Sequence, residues 1–206
     1  MQLLFRFGVV ATLAVASASC GSVAKGQGPS FLVIDSLAGI RGNTTPGTPS
    51  TTLTSDVITN VTSPAPCSAT APCPTIFGDS GQAVMRAVMK DAGSANPSSA
   101  SAINHITLER YHVKYIRSDV ANPTQGVDVP YEFDGALRVT IQDAPTTFGF
   151  LLVRNQAKDE APLIFLRSNP AIVSAIAQIT FFGRDQNGNE ISILGEITIN
   201  FGNFGD

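Results

Sequence analysis

Tryptophan is absent from this 206-residue chain, and cysteine (three), histidine (two) and tyrosine (three) are scarce. Charged residues make up only 14 % of it, against about 25 % in an ordinary soluble domain. Each scarcity excludes something. Three cysteines are too few for a disulfide-built scaffold, and with only two histidines there is no thiolate-rich or histidine-rich metal framework. A formal charge of −3 argues against nucleic acid as a partner, which calls for a basic surface. What the chain does have is apolar material, 43 % of its residues. That length and content allow one domain, two at most, able to bury about two-thirds of its unfolded surface without a covalent staple.

The N-terminus fixes the compartment to be expected. Arg6 is the only charged side chain before the apolar run 7–16, which is too short to span a bilayer and has the length of a signal-peptide core. Small residues Ser17, Ala18 and Ser19 then lead into Cys20 and Gly21. This ending resembles a bacterial lipoprotein signal, in which the cysteine is acylated and becomes the first mature residue. The resemblance implies a signal peptide over 1–19, a lipidated tether over 20–30, and export to the cell envelope. Gly rather than Asp after the cysteine implies the outer membrane and the cell surface. A plain secretory signal with an incidental cysteine is the alternative.

With Cys20 lipidated, two cysteines remain. Cys67 and Cys73 have five residues between them and sit among prolines and small polar residues, and an oxidising exterior favours a disulfide between them. A metal pair would need further ligands, and no histidine or second cysteine pair is near in sequence.

The remainder reads as strands. Residues 43–75 contain 14 Ser or Thr and 6 Pro, with Asp56 the only charge. Such a stretch reads as two long loops around one short edge strand, 55–62. Residues 30–37 read as the first strand. Leu137, Val139 and Ile141 alternate with Arg138, Thr140 and Gln142, the period of a half-buried strand. Residues 148–153 are apolar on both faces and read as a central strand. Ile191, Ile193, Ile197, Ile199 and Phe201 share one face of the last strand, which pairs with 176–183 across a turn containing Asn187-Gly188. In 106–117 the apolar set changes parity around Glu109 and Arg110, which a β-bulge would repair. Tyr111 and Tyr115 then fall in the core. Residues 82–90 carry good helix formers, yet their strand neighbours favour a strand.

The hairpin 177–191 resembles the closing hairpin of bacterial immunoglobulin-like domains. The fold class is therefore all-β, an immunoglobulin-like β-sandwich of about seven to nine antiparallel strands over 31–206. The Cys-Trp-Cys core of antibody domains is missing.

Two motifs suggest chemistry. Gly78-Asp79-Ser80-Gly81 is similar to the nucleophile segment of trypsin-like proteases, and Phe77-Gly-Asp-Ser80 to that of SGNH hydrolases. A serine nucleophile needs a histidine base oriented by a carboxylate. Here His105 and His112 follow Ser80, and no Asp-x-x-His closes the chain. Both motifs therefore read as a turn entering the next strand, and no residue is assigned a catalytic role. Two acidic loops are the alternative site candidates. One clusters Asp128, Glu132 and Asp134; the other places Asp185, Asn187 and Asn189 at the hairpin tip. Alternating oxygen ligands suit Ca²⁺, while turn chemistry explains the same residues without a metal.

No cofactor is implied. The functional expectation is a non-enzymatic, envelope-anchored binding or assembly module, held to the membrane by its lipid and contacting another envelope protein or a glycan. The alternatives are a serine hydrolase using Ser80, and a glycan-binding module, whose usual exposed Trp is absent.

Overall fold

Ten strands form among the described residues, with β-branched and aromatic residues alternating through most of them. The computed structural model describes residues 28–205 apart from 45, 46, 97, 99, 100 and 118. The predicted signal peptide, Cys20 and most of the tether lie outside the described residues. The strands are β1 (Ser30–Ile40), β2 (Thr52–Asp56), β3 (Thr59–Val61), β4 (Cys73–Thr75), β5 (Asp79–Met89), β6 (Ile106–Ile116), β7 (Phe133–Ile141), β8 (Thr146–Val153), β9 (Val173–Asp185) and β10 (Glu190–Gly202).

Eight of them make the two layers of a sandwich. One sheet has the order β1-β5-β8 and the other β2-β10-β9-β6-β7, while β3 and β4 form a small separate ribbon. This is a β-sandwich: the closing hairpin β9–β10 occupies the interior of the larger sheet, and the first strand's continuation crosses over to flank it. All pairings between the sandwich strands are antiparallel except that of β2 with β10, which is parallel. β1 starts at Ser30, the last residue assigned to the tether.

The parity change in β6 is a bulge, as its sequence requires. Register slips between Leu108 and Arg110 against both β7 and β9, which returns Tyr111, Val113 and Tyr115 to the interior. Residues 82–89 belong to β5, in the middle of the smaller sheet. Ala83, Met85 and Ala87 are buried there, and Arg86 points outward to Asp35, 3.0 Å away. Two expectations are corrected. The apolar strand β8 is an edge strand of its sheet, with Leu151 exposed on its outer face. The edge strand expected over 55–62 is divided, because β2 ends at Asp56 where Val57 turns inward and bonds to Gly202 O, and β3 pairs with β4 instead.

An aromatic cluster lies between the two sheets. Tyr111, Phe148, Phe150 and Phe181 meet between the layers, with edge-to-face pairs at 5.2 Å (Phe150 and Phe181) and 5.7 Å (Phe148 and Phe181). Such pairs contribute about 0.5–1.5 kcal/mol each beyond the area they bury. Gly81 makes room for it: a Cβ there would stand 2.2 Å from the Phe150 ring. Two tyrosine hydroxyls tie the layers together. Tyr115 Oη donates to Leu152 O at 2.7 Å, and Leu151 N donates to Tyr111 Oη at 3.1 Å.

These pairings sort the connections into two ends. At one end lie the segments 90–105, 142–145 and the tight 186–189 turn, where Gly188 takes the positive φ of +85°. At the other lie 41–51, 57–78, 117–132 and 154–172. Most of the length between strands among the described residues is at this second end.

Candidate functional site

At the long-loop end, the connection from β8 to β9 begins with the short helix α1 (Asn155–Asp159) and continues through a 3-10 turn, Leu163–Ser168. Leu163 and Leu166, three apart, point into the core, so the residues between them are forced outward. Phe165 is 67 % exposed and Ile164 is also exposed, as is Ile172 further along the same connection. The turn is fixed in place. Arg167 Nη2 donates to Lys158 O at 2.8 Å and Asn203 Nδ2 to Arg167 O at 2.9 Å. On the 117–132 connection Val127 (66 % exposed) and Tyr131 are exposed as well. Among the described residues, five of the eight exposed large apolar side chains thus lie on two connections at one end. Single exposed apolar residues are ordinary, whereas several at one end of a molecule are a feature that protein contact surfaces share.

Beneath them is a buried charged group. Asp79, the first residue of β5, is turned inward by a register shift between Asp79 and Ser80. Lys158 Nζ lies 2.8 Å from Asp79 Oδ2, and each side chain is 1 % exposed. Ser55 Oγ donates to the same oxygen at 2.6 Å, and Gly42 N donates to Asp79 Oδ1 at 2.9 Å. Next to it Asp56 accepts from Arg41 Nη2 at 2.6 Å, Thr59 Oγ1 at 3.1 Å and Phe204 N at 3.3 Å. Burial pushes the Lys158 ammonium below its ordinary value, against the attraction of Asp79 and Asp56.

The residues singled out in the sequence do not converge on this buried pair. Ser80 is exposed and pairs with Ile40 and Leu151 in the smaller sheet. His112 is on the larger sheet, with Nδ1 3.2 Å from Asp134 and Nε2 3.6 Å from Glu132. His105 precedes β6, at the opposite end from Ser80. Asp128 accepts Thr124 N at 2.8 Å and closes its own loop. At the hairpin tip Asp185 accepts the backbone N–H groups of Asn187 and Asn189, both at 2.9 Å, and Asn189 Nδ2 at 2.7 Å. Burial alone would raise the Asp185 carboxyl, but these bonds outweigh it and hold it below its usual value. Its oxygens are therefore engaged by its own turn. Among the described residues no three or more His, Cys, Asp or Glu converge on a point that could hold a metal. Cys67 and Cys73 are joined in a disulfide, Cα–Cα 5.3 Å, within the connection leading to β5.

Sequence reasoning weighed the Gly-Asp-Ser-Gly segment for its serine and overlooked its aspartate. Asp56, the sole charge in a 33-residue stretch, was the signal that a charged side chain there has a fixed partner. Lys158 gave none, standing in a polar segment that reads as surface.

Comparison with protein-family models, curated proteins and solved structures gives no significant match.

Proposed function

We propose that this chain is a non-enzymatic binding module anchored to the bacterial envelope through Cys20, and that its long-loop end holds a protein partner. The observation that carries the reading is the concentration of Val127, Tyr131, Ile164, Phe165 and Ile172 on connections at that end. Burying a Phe or Ile side chain is worth about 1.5–3 kcal/mol. Leaving several in water on a turn fixed by Leu163, Leu166 and Arg167 makes sense when a partner covers them. Phe and Tyr are favoured contact residues in protein interfaces, where a few anchors dominate the affinity. The lipoprotein-like ending at Cys20 supports the anchor, since an acylated N-terminus with more than one chain holds a protein durably to a membrane.

The test is affinity capture from envelope extracts with the wild-type chain and with Phe165→Ser/Ile172→Ser. A partner retained by the wild type and lost by a variant with unchanged melting supports the reading. Equal retention by both removes the long-loop end from it. Labelled palmitate should enter the wild type and not Cys20→Ala. A fluorophosphonate probe that labels Ser80 would replace a binding module with a hydrolase.

A further inference from the structure

We propose that Lys158 and Asp79 join in an intramolecular isopeptide bond, formed by the folded chain itself between Nζ and the Asp79 side-chain carboxyl. The reactants are already in contact at 2.8 Å, 79 positions apart in sequence, with 1 % exposure on each side chain. Held together in this way, two groups react as though at effective concentrations of about 10⁵–10⁸ M.

The polar neighbours are arranged for the condensation. A proton passes from the Lys158 ammonium to Asp79 Oδ2 within the pair, and the free amine lone pair attacks Cγ. Negative charge developing on Oδ1 is met by the Gly42 N–H at 2.9 Å, a donor placed as in an oxyanion hole. Oδ2 departs as the Cγ–Oδ2 bond breaks, and the Ser55 hydroxyl at 2.6 Å relays its second proton. Of the three ammonium protons, one stays on the amide nitrogen and two leave with Oδ2 as water. No oxidant or cofactor is consumed. Burial favours the product, because a neutral amide replaces two charges held out of water. It also favours the neutral amine that the attack requires, in line with the lowered Lys158 ammonium. The bond would tie the β8–β9 connection that carries Phe165 to the start of β5.

Trypsin reads the outcome directly. No Lys or Arg lies between Gly42 and Arg86, and Lys158 is the only one between Asn155 and Arg167. The full chain, purified folded and then denatured, reduced and digested, is expected to give one branched species: Gly42–Arg86 joined to an uncut Asn155–Arg167, lighter than their sum by one water. Both cysteines of the disulfide lie within the first peptide, so reduction does not release the branch. Lys158→Arg should abolish the species and restore cleavage at position 158, and Ser55→Ala should slow its appearance after refolding. Recovery of separate Gly42–Arg86, Asn155–Lys158 and Asp159–Arg167 from folded wild-type protein would overturn the proposal and leave an ion pair only.

Discussion

Lys158 Nζ lies 2.8 Å from Asp79 Oδ2 in a site closed to water, and this contact fixes the β8–β9 connection against the start of β5. Removing one partner strands a charge in the core, which costs about 3–5 kcal/mol, whereas replacing both with apolar groups of similar volume is often neutral. Lys158→Met alone, which strands the Asp79 carboxylate, is therefore expected to give the lowest urea midpoint, and Lys158→Met/Asp79→Leu, which strands no charge but has no cross-link, to lie between it and the wild type. Equal midpoints for the single and double variants would show that the pair carries no coupling.

The two layers are joined by hydrogen bonds as well as by packing. Tyr115→Phe deletes the donor to Leu152 O and keeps the ring in its edge-to-face contact with Phe201. A loss of about 1 kcal/mol is expected. Denaturant unfolding monitored by circular dichroism measures it, and an unchanged midpoint would mean that Leu152 O finds another donor.

Asp185 sets the acid limit of the closing hairpin. Its folded carboxyl titrates below the ordinary carboxylate range because the Asn187 and Asn189 donors outweigh burial. A lowered folded pKa contributes stability above the unfolded value, about 3.9, and that contribution disappears as pH falls toward the folded one. Asp185→Ala should destabilise the chain by about 1–2 kcal/mol at neutral pH, and the gap between wild type and variant should narrow as pH falls below the ordinary carboxylate range. Parallel curves throughout the acid limb would exclude this carboxylate as a source of acid sensitivity.

The Cys67–Cys73 bridge closes a small ring in the connection before β5. Loop-closure entropy for a ring of this size gives about 2 kcal/mol. Cys67→Ser/Cys73→Ser should lower the melting temperature by a few degrees and leave the fold intact by circular dichroism. Loss of folding would mean that the ribbon β3–β4 organises the long-loop end.

The sandwich was legible because its signals are local. The parity change at Glu109 announced the bulge in β6, and Asn187-Gly188 announced the turn of the closing hairpin. The edge position of β8 was not legible, since side-chain alternation reports which faces are apolar and not whether a strand is paired on one side or on both; β8 pairs with β5 alone. Nor was the Asp79–Lys158 pair, which depends on a β5 register shift and on a helix 79 positions away. Period-2 reading records which residues alternate, not which distant charge an inward-turned side chain meets. The exposed Phe165 was likewise invisible until Leu163 and Leu166 were seen to take the buried positions of the 3-10 turn.

The central claim is that the long-loop end is the binding end. Photo-cross-linking in intact cells from a reactive residue at position 165, compared with one at position 186 in the opposite turn, tests it most directly. A defined adduct from 165 and none from 186 is the predicted result; adducts from 186 alone, or from neither position, would contradict it.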